Sequence, residues 1–423
     1  MIDNTLPVDA FSDREASAAA SRMSRDEVAA LVATFSGWTL DGMNAMAYSL
    51  VLPALIALWR LSAGKAGLLG TSALVVSSLG GWLAGVAADR YGRVRILQLT
   101  ILWFACFTFL SGFSTGFWQL MIARALQGLG FGGEWAVGAV LIGETIRSEH
   151  RGKAVGFVQS GWAIGWGMAA VSYTLLFLLL PQAWAWRALF WIGILPSLLV
   201  FYIGRKVREP EIYRRRNAQA QTPASLHEIF RAPILKTTLL ASLVALGAQG
   251  GYYAVTTWLP LYLSSTRGLS IFKTGAYLIV IIAGSLAGYL VSAWMTDKAG
   301  RKITLIVFAA GSFVVVCGYM MAHLSNGMML LCGFPLGFFP SGSFSPIGAF
   351  FTELFPTRLR GSGQGFSYNL GRGLGALFPA LVGFLSKQMS LGFAIAAFAG
   401  LAYLLMTLGV MALPETRGLA LKE

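Results

Sequence analysis

The sequence predicts an all-α integral membrane fold of twelve transmembrane helices, arranged as two six-helix pseudo-symmetric bundles. Three observations predict it: an apolar composition, twelve apolar runs of bilayer length, and an internal repeat relating the first six runs to the last six. Of 423 residues, 56% are hydrophobic and 12% charged, and the mean hydropathy is +0.66. A water-soluble globule does not carry that balance, so the solvent the chain requires is a lipid bilayer.

Spans of roughly 20 apolar residues cross a bilayer. Such runs are read at 30–57, 65–88, 95–113, 117–143, 153–180 and 184–204, then at 236–264, 272–296, 302–323, 325–352, 361–386 and 389–412. Gly and Pro recur inside them, the mark of helices packed in a bundle rather than isolated anchors. The tenth run contains Pro335, Pro340 and Pro346 with Ser341, Ser343 and Ser345 between and beside them. Proline removes backbone donors and serine can replace lost partners, so this helix is predicted to bend, as a fixed kink or as a moving gate.

The stretches between and around the runs set the organisation. Residues 1–28 are an acidic and basic tail with no short apolar stretch and cleavage site, so they are not read as a signal peptide. An N-terminal bundle over 29–204, a linker over 205–235, a C-terminal bundle over 236–412 and a tail over 413–423 follow. Cys106, Cys317 and Cys332 all fall in apolar runs, an odd count that fits neither a disulfide framework nor a zinc site.

A net charge of +14 would point to nucleic acid in a soluble protein. Here its placement gives another reason. With both termini in the cytoplasm, 24 of the 32 basic residues lie in cytoplasmic segments. Six lie at outer ends (Arg60, Lys65, Arg187, Arg267, Lys273, Lys387) and two inside helices (Arg124, Arg372). That is the positive-inside distribution, and it predicts cytoplasmic termini.

The repeat is visible in two places. GVAADRYGR after the second run matches AWMTDKAGR after the eighth, aligning Asp89, Gly92 and Arg93 with Asp297, Gly300 and Arg301 at an offset of 208. ETIRSEHRGKAVGF matches ELFPTRLRGSGQGF, aligning Glu144 and Arg151 with Glu353 and Arg360 at an offset of 209. Two pairs at nearly one offset predict a duplicated six-helix unit. A carboxylate in the Asp89 and Asp297 loops caps helix ends and pairs with nearby arginine, so Asp89, Arg93, Asp297 and Arg301 are expected to form a conformational latch between the halves.

An ionisable group inside the membrane costs on the order of 2.5–3.5 kcal/mol, so the few that survive point to chemistry. Only Asp41, Glu134, Arg124 and Arg372 do. At ~1.5 Å per residue, Asp41 lies roughly 18 Å into the first helix, Glu134 roughly 15 Å from the inner end of the fourth and Arg372 roughly 16 Å into the eleventh. All three reach the midplane, whereas Arg124 is nearer the outer face. A carboxylate so deep is suited to gain and lose a proton during a cycle. Arginine keeps its charge and offers a fork that a carboxylate can fill. Asp41 and Glu134 are therefore the candidates for proton coupling and Arg372 for the substrate anion. Permanent pairing of these acids with Arg124 or Arg372 is the structural alternative. Substrate-lining candidates are Asn44, Tyr48, Gln159, Trp162, Gln249, Tyr253, Tyr368 and Asn369, beside Trp38, Trp166 and Tyr252. Packing is the competing reading of each.

Over essentially the whole chain these residues resemble the major facilitator superfamily. Gly85, Asp89, Arg90, Gly92, Arg93 and Arg95 have the spacing of its loop 2–3 motif, Arg124, Gln127, Gly128 and Gly130 that of its helix-4 motif, and LPETRG resembles its usual ending. The resemblance implies a structural or proton-relay role for Arg124. SGWTLDGMNAMAYSLVLPAL, GLGFGGEWAVGAVLIGE and WRALFWIGILPSLLVFYI resemble the bacterial metabolite:proton symporters, including sialate and short-carboxylate carriers, and ELFPTRLRGSGQGFSYNLGR the aromatic-acid and nicotinate carriers. Aromatic-acid carriers show two acids as D-G-x-D in the first helix, whereas here the fourth position is Asn44. That shifts coupling toward Asp41 and Glu134 and favours sialate or a small carboxylate.

The expectation is a proton-coupled symporter of a small organic anion in a bacterial inner membrane. It needs no cofactor or metal beyond the coupling proton, no nucleic acid, and no second copy. A proton-driven exporter, a sugar carrier and a non-transporting receptor are the alternatives. The fifth helix lacks the Gly-Pro element of antiporters, and Arg372 has no use on a neutral sugar. With no deep Ser/His, His/Cys or paired-acid constellation to carry it, an enzyme is not expected.

Overall fold

The computed structural model describes residues 23–211, 213, 226–232, 234–356 and 359–417; side chains at 148–153, 226–227, 272 and 361 are outside that description. Part of the predicted linker and the greater part of both predicted tails therefore lie outside the described residues.

Twelve helical spans follow in order, and no strand occurs among the described residues. They are α1 Arg25–Trp59, α2 Ala63–Tyr91, α3 Arg93–Ser111, α4 Phe117–Thr145 and α5 Ser148–Leu179. The sixth, α6, is split into Gln182–Ile192 and Pro196–Lys206. Then come α7 Ile234–Leu261, continued by a wider turn Tyr262–Thr266, α8 Ile271–Ala299 and α9 Arg301–Met321. The tenth, α10, is split into Asn326–Gly342 and Phe344–Leu354, and α11 into Arg360–Gly375 and Phe378–Leu385; α12 is Leu391–Ala412. Both described ends of the chain emerge on one side of the bundle, the terminal face; the other side is the far face.

Local chemistry sets the boundaries. Ser24 opens α1 with a capping box, its hydroxyl accepting from the Glu27 N–H while Glu27 accepts from Ser24 N–H. Ser62, Ser270, Ser325 and Ser390 open α2, α8, α10 and α12 by accepting from the N–H three residues on. Tight turns at Gly92 and Gly300, with φ of 102° and 100°, end α2 and α8. Only glycine takes that backbone without strain.

The bend expected in α10 falls at Ser343. Pro346 has no N–H for the Gly342 carbonyl, and Ser292 of α8 supplies the missing donor at 2.6 Å. The breaks in α6 and α11 have the same cause, four residues before a buried Pro196 and Pro379.

The duplication extends to packing. In the first half α2 lies along α4, and in the second α8 lies along α10. A Cβ added at Gly80 would run into the backbone of Leu129, and one at Gly128 into Ala73. In the second half Gly288 meets Phe338 and Gly337 meets Ile281. All four pairs fall at the offsets of 208 and 209 read from the loops, so the same close helix crossing is built twice.

Between the halves, α5 packs on α8, α2 on both parts of α11, and α1 on α7. On the far-face side Gly64 and Gly67 seat against Phe384 and Pro379, and the Thr71 hydroxyl accepts from the Ala380 N–H at 3.2 Å. Contact continues inward to Gly81, which lies against Asn369 Oδ1. One turn further toward the terminal face, a side chain at Gly85 or Gly365 would meet nothing within 4 Å. Along this α2–α11 seam the halves are closed from the far face to mid-depth and separate beyond it, whereas at the repeat-related positions Gly156 and Ala293 α5 and α8 stay in contact.

Candidate functional site

Glu134 reaches mid-depth from α4, and Gly37 on α1 makes the space for it: a Cβ there would collide with Glu134 Oε1. Asp41, one turn along α1, is completely buried, and neither of its oxygens meets a protein N–H or O–H. Its close neighbour is the Glu134 carboxyl, within hydrogen-bonding reach once one of the two holds a proton. The guanidinium of Arg372 acts on Asp41 through space from α11. The two predicted coupling acids and the predicted anion anchor thus share one buried region where α1, α4 and α11 meet.

Arg372 is 1% exposed and has no acid within ion-pair distance among the described residues. Its Nε donates to Gln249 Oε1 at 3.2 Å, and one terminal N–H group has no partner. Phe131 and Tyr368 flank it with ring centroids at 5.4 and 5.1 Å. Gln249 is held in turn, donating to the Tyr368 carbonyl at 3.1 Å and accepting from Tyr253 Oη at 3.2 Å. So Gln249, Tyr253 and Tyr368 orient the guanidinium without neutralising it, leaving its charge for an anion.

Aromatic rings close the region. Trp38 sits 4.5 Å from Trp135 and 4.9 Å from Trp162, Trp162 lies 6.0 Å from Phe131, and Trp135 lies 6.3 Å from Tyr368. Trp162 Nε1 donates to Tyr252 Oη at 2.8 Å, a bond between the two halves. Polar edges are left over: Trp38 Nε1, Trp166 Nε1 and Gln159 Oε1 are buried without partners. Such groups are costly unless something else fills them. Phe131 and Trp135 were not singled out in the sequence, although Phe131, three residues before Glu134, shares its face of α4 and Trp135 lies one turn beyond Phe131.

Three predicted lining residues sit elsewhere. Asn44 does not face Arg372; its amide donates to the Gly193 carbonyl at 3.2 Å, filling the break in α6 within the N-terminal half. Asn369 donates back to the Gly365 carbonyl at 2.9 Å and turns its oxygen to α2. Tyr48 lies nearer the far face, donating to the Ala66 carbonyl with its ring 4.5 Å from Arg124. The structural alternative of Arg124 paired with an acid is not found among the described residues: its terminal N–H donates to Gln127 Oε1 at 2.8 Å.

The latch residues gather at the terminal face. Arg93 pairs with Asp89 at 2.7 Å and Glu144 at 3.0 Å; Arg301 pairs with Asp297 at 3.7 Å and Glu353 at 3.0 Å. Each cluster closes inside its own half, and among the described residues no ion pair of these clusters bridges the halves. In this conformation they brace each half rather than join the two. Two acids were missed: Glu209 accepts from the N–H groups of Arg93 and Val94, and Glu415 from those of Arg301 and Lys302. The available signal was a Glu beside a Pro following the last helix of each half, in REPE and LPET.

Comparisons with known proteins agree with this architecture. The family model described as Major Facilitator Superfamily matches residues 34–380 and 284–422. A probable 4-methylmuconolactone transporter of Cupriavidus pinatubonensis is 44% identical over 391 residues, covering 92% of this chain and 91% of that protein. The cis,cis-muconate transport protein of Acinetobacter baylyi is 30% identical, over 86% of this chain and 88% of its own length. Among solved structures, the inward-open xylose transporter XylE of Escherichia coli superposes with a TM-score of 0.72 at 19% identity, covering 92% of this chain and 97% of that one, which shows the fold alone. This chain is therefore a multi-pass membrane transporter of small organic metabolites, not an enzyme, and it belongs to the major facilitator superfamily.

Proposed function

We propose that the protein is a proton-coupled symporter that imports a small organic anion across a bacterial inner membrane by alternating access. The carrying observation is Arg372, a buried guanidinium with no acid partner among the described residues, in the same buried region as Asp41, whose neighbour is the Glu134 carboxyl. Relatives named for muconate and a muconolactone support an organic acid as the solute, and a wall of rings around Arg372 favours a flat, unsaturated one.

The two bundles, 29–204 and 236–412, rock about this region. With the site open outward, the acid pair takes up a proton and Arg372 binds the carboxylate. Protonation removes the negative charge that would repel the incoming anion, so the two events favour one another. The loaded protein turns inward and releases both. The positive-inside distribution puts the terminal face in the cytoplasm, and the gap beyond Gly81 and Asn369 is then the cytoplasmic exit. The monomer suffices, because both halves of the site come from one chain.

Proteoliposomes holding the full-length protein, with an imposed inward proton gradient, test this. Offered labelled benzoate, nicotinate, cis,cis-muconate, sialate, lactate and xylose, they are expected to concentrate at least one carboxylate and to lose that accumulation when a protonophore collapses the gradient. Accumulation of the neutral sugar alone, or accumulation indifferent to the gradient, would sink the reading.

A further inference from the structure

Arg124 is the deep charge that the cycle above leaves unused. It is 4% exposed and, among the described residues, has no carboxylate within ion-pair distance. Its one side-chain partner, Gln127, is committed, passing its own amide N–H to Thr108 at 2.7 Å. The Arg124 Nε has no partner at all. A buried guanidinium in that condition is expensive. Where arginine has only a bracing task in this molecule, as at Arg93 and Arg301, two acids surround it.

The surroundings of Arg124 repeat those of Arg372. Each guanidinium lies over an aromatic ring, takes one glutamine oxygen and keeps an unused N–H. Arg124 also lines a cavity with Tyr48, Ser49, Thr256 and Thr257, and Phe131, Trp162 and Tyr253 line it too. Asp41, Glu134 and Arg372 do not line it. Phe131 lines the cavity with Arg124 and carries Arg372 over its ring, so it links the surroundings of the two arginines. Seven residues along α4 from Phe131, Arg124 stands about 10 Å nearer the far face.

That face carries Arg60, Lys65, Arg187, Arg267, Lys273 and Lys387 and not one Asp or Glu. A surface of one sign draws the opposite charge toward it. We infer that Arg124 and its cavity form a second anion subsite, which takes the carboxylate of a solute entering from the far face before it passes Phe131 to Arg372. The inference rests on the reading of the protein as an organic-anion carrier. It gives that carrier a two-step entry, in which rim charge collects the anion, Arg124 holds it, and Arg372 receives it beside the acid pair.

Saturation binding of labelled benzoate to the purified full-length protein tests the subsite, with chloride as a competing probe. Arg372→Gln is expected to keep a weaker saturable benzoate site, and adding Arg124→Gln to weaken that remaining site about tenfold or more. Arg124→Lys, which keeps the charge and loses the fork, is expected to fall between the two. It carries the test if the Gln variant fails to give a monodisperse, cooperatively melting protein. If Arg372→Gln loses all benzoate binding, or Arg124→Gln leaves the residual site unchanged, the subsite is overturned while the role of Arg372 stands. If Arg372→Gln binds like wild type and Arg124→Gln does not, the subsite stands and Arg372 is not the anchor. Chloride binding that depends on Arg124 without benzoate binding would make it a counter-ion site only and overturn the inference. A wild-type protein that binds neither benzoate nor any other carboxylate of the transport panel overturns both.

Discussion

At the terminal face of the first half, Arg93 is held by Asp89 and Glu144 while Glu209 caps α3; in the second half Arg301, Asp297, Glu353 and Glu415 do the same for α9. At mid-depth the helix crossings match but the charged groups do not. Carried across at the same offsets of 208 and 209, Asp41 meets Gln249, Glu134 meets Ser343, and Arg372 is answered by Ala163. The duplicated chemistry lies where the halves must move alike. The unduplicated chemistry lies where a proton and an anion have to be told apart. In the second half the counterpart of Asp41 has become the group that orients Arg372.

The largest expected effect tests the unduplicated acids. Asp41→Asn and Glu134→Gln each keep shape and remove a titratable group. Gradient-driven accumulation is expected to vanish in both, while exchange of labelled for unlabelled substrate, which needs no net proton movement, persists. Two acids that share one proton fail together; accumulation surviving in one variant would assign the proton to the other acid alone. Arg372→Lys comes next. It keeps the charge but gives up the fork and the stacking on Phe131 and Tyr368, so substrate affinity should fall about 10- to 100-fold, as for the loss of a charge-assisted bond of roughly 1.5–3 kcal/mol. Wild-type affinity in that variant would remove the anchor.

How far the sequence carried this picture depends on the scale of the feature. All twelve spans were legible, because desolvation by lipid acts on every residue and hydropathy integrates it over 20 positions. The deep charges were legible for the same reason. The bend of α10 was visible in Pro335, Pro340 and Pro346, whereas the breaks in α6 and α11 were not, since Pro196 and Pro379 each stand alone. Side-chain direction was the real limit. Helical spacing puts Asp41, Asn44 and Tyr48 on one face of α1, yet Asn44 turns to Gly193, Asp41 to Glu134 and Tyr48 to Arg124. Neighbouring helices decide that choice, and no spacing within α1 encodes them. The aromatic contact of Trp135 with Tyr368 joins residues more than 200 positions apart for the same reason.

The duplicated braces should respond alike in kind and unlike in size. The Arg93 side chain is 2% exposed and that of Arg301 17%. The acids they hold are equally placed, Glu144 at 15% and Glu353 at 16%, so the difference comes from the arginines: Arg93→Ala, which empties the more deeply buried position, is expected to cost about 3 kcal/mol of stability and Arg301→Ala about 1–2 kcal/mol. Denaturant titration of the purified protein measures both. Equal losses, or the reverse order, would mean that the two clusters differ in more than burial.

The smallest effect concerns Glu415, outside the membrane-spanning helices. Partial burial pushes its carboxyl up, but backbone N–H groups of Arg417, Thr416, Arg301 and Lys302 outweigh that and hold it below its ordinary value of 4.5. A carboxyl lowered in the folded state binds fewer protons there than in the unfolded chain, so it adds stability above pH 4.5 and loses that contribution as the pH falls through the lowered value. Glu415→Gln removes the titration and leaves an amide oxygen that still accepts from the first turn of α9. The melting temperatures of wild type and variant should therefore differ slightly at neutral pH, in favour of wild type, as expected for a carboxylate at a helix N-terminus. The gap should close on acidification. A gap that holds constant into acid would mean that packing of the side chain, rather than its charge on the α9 N-terminus, is what the second half needs from it.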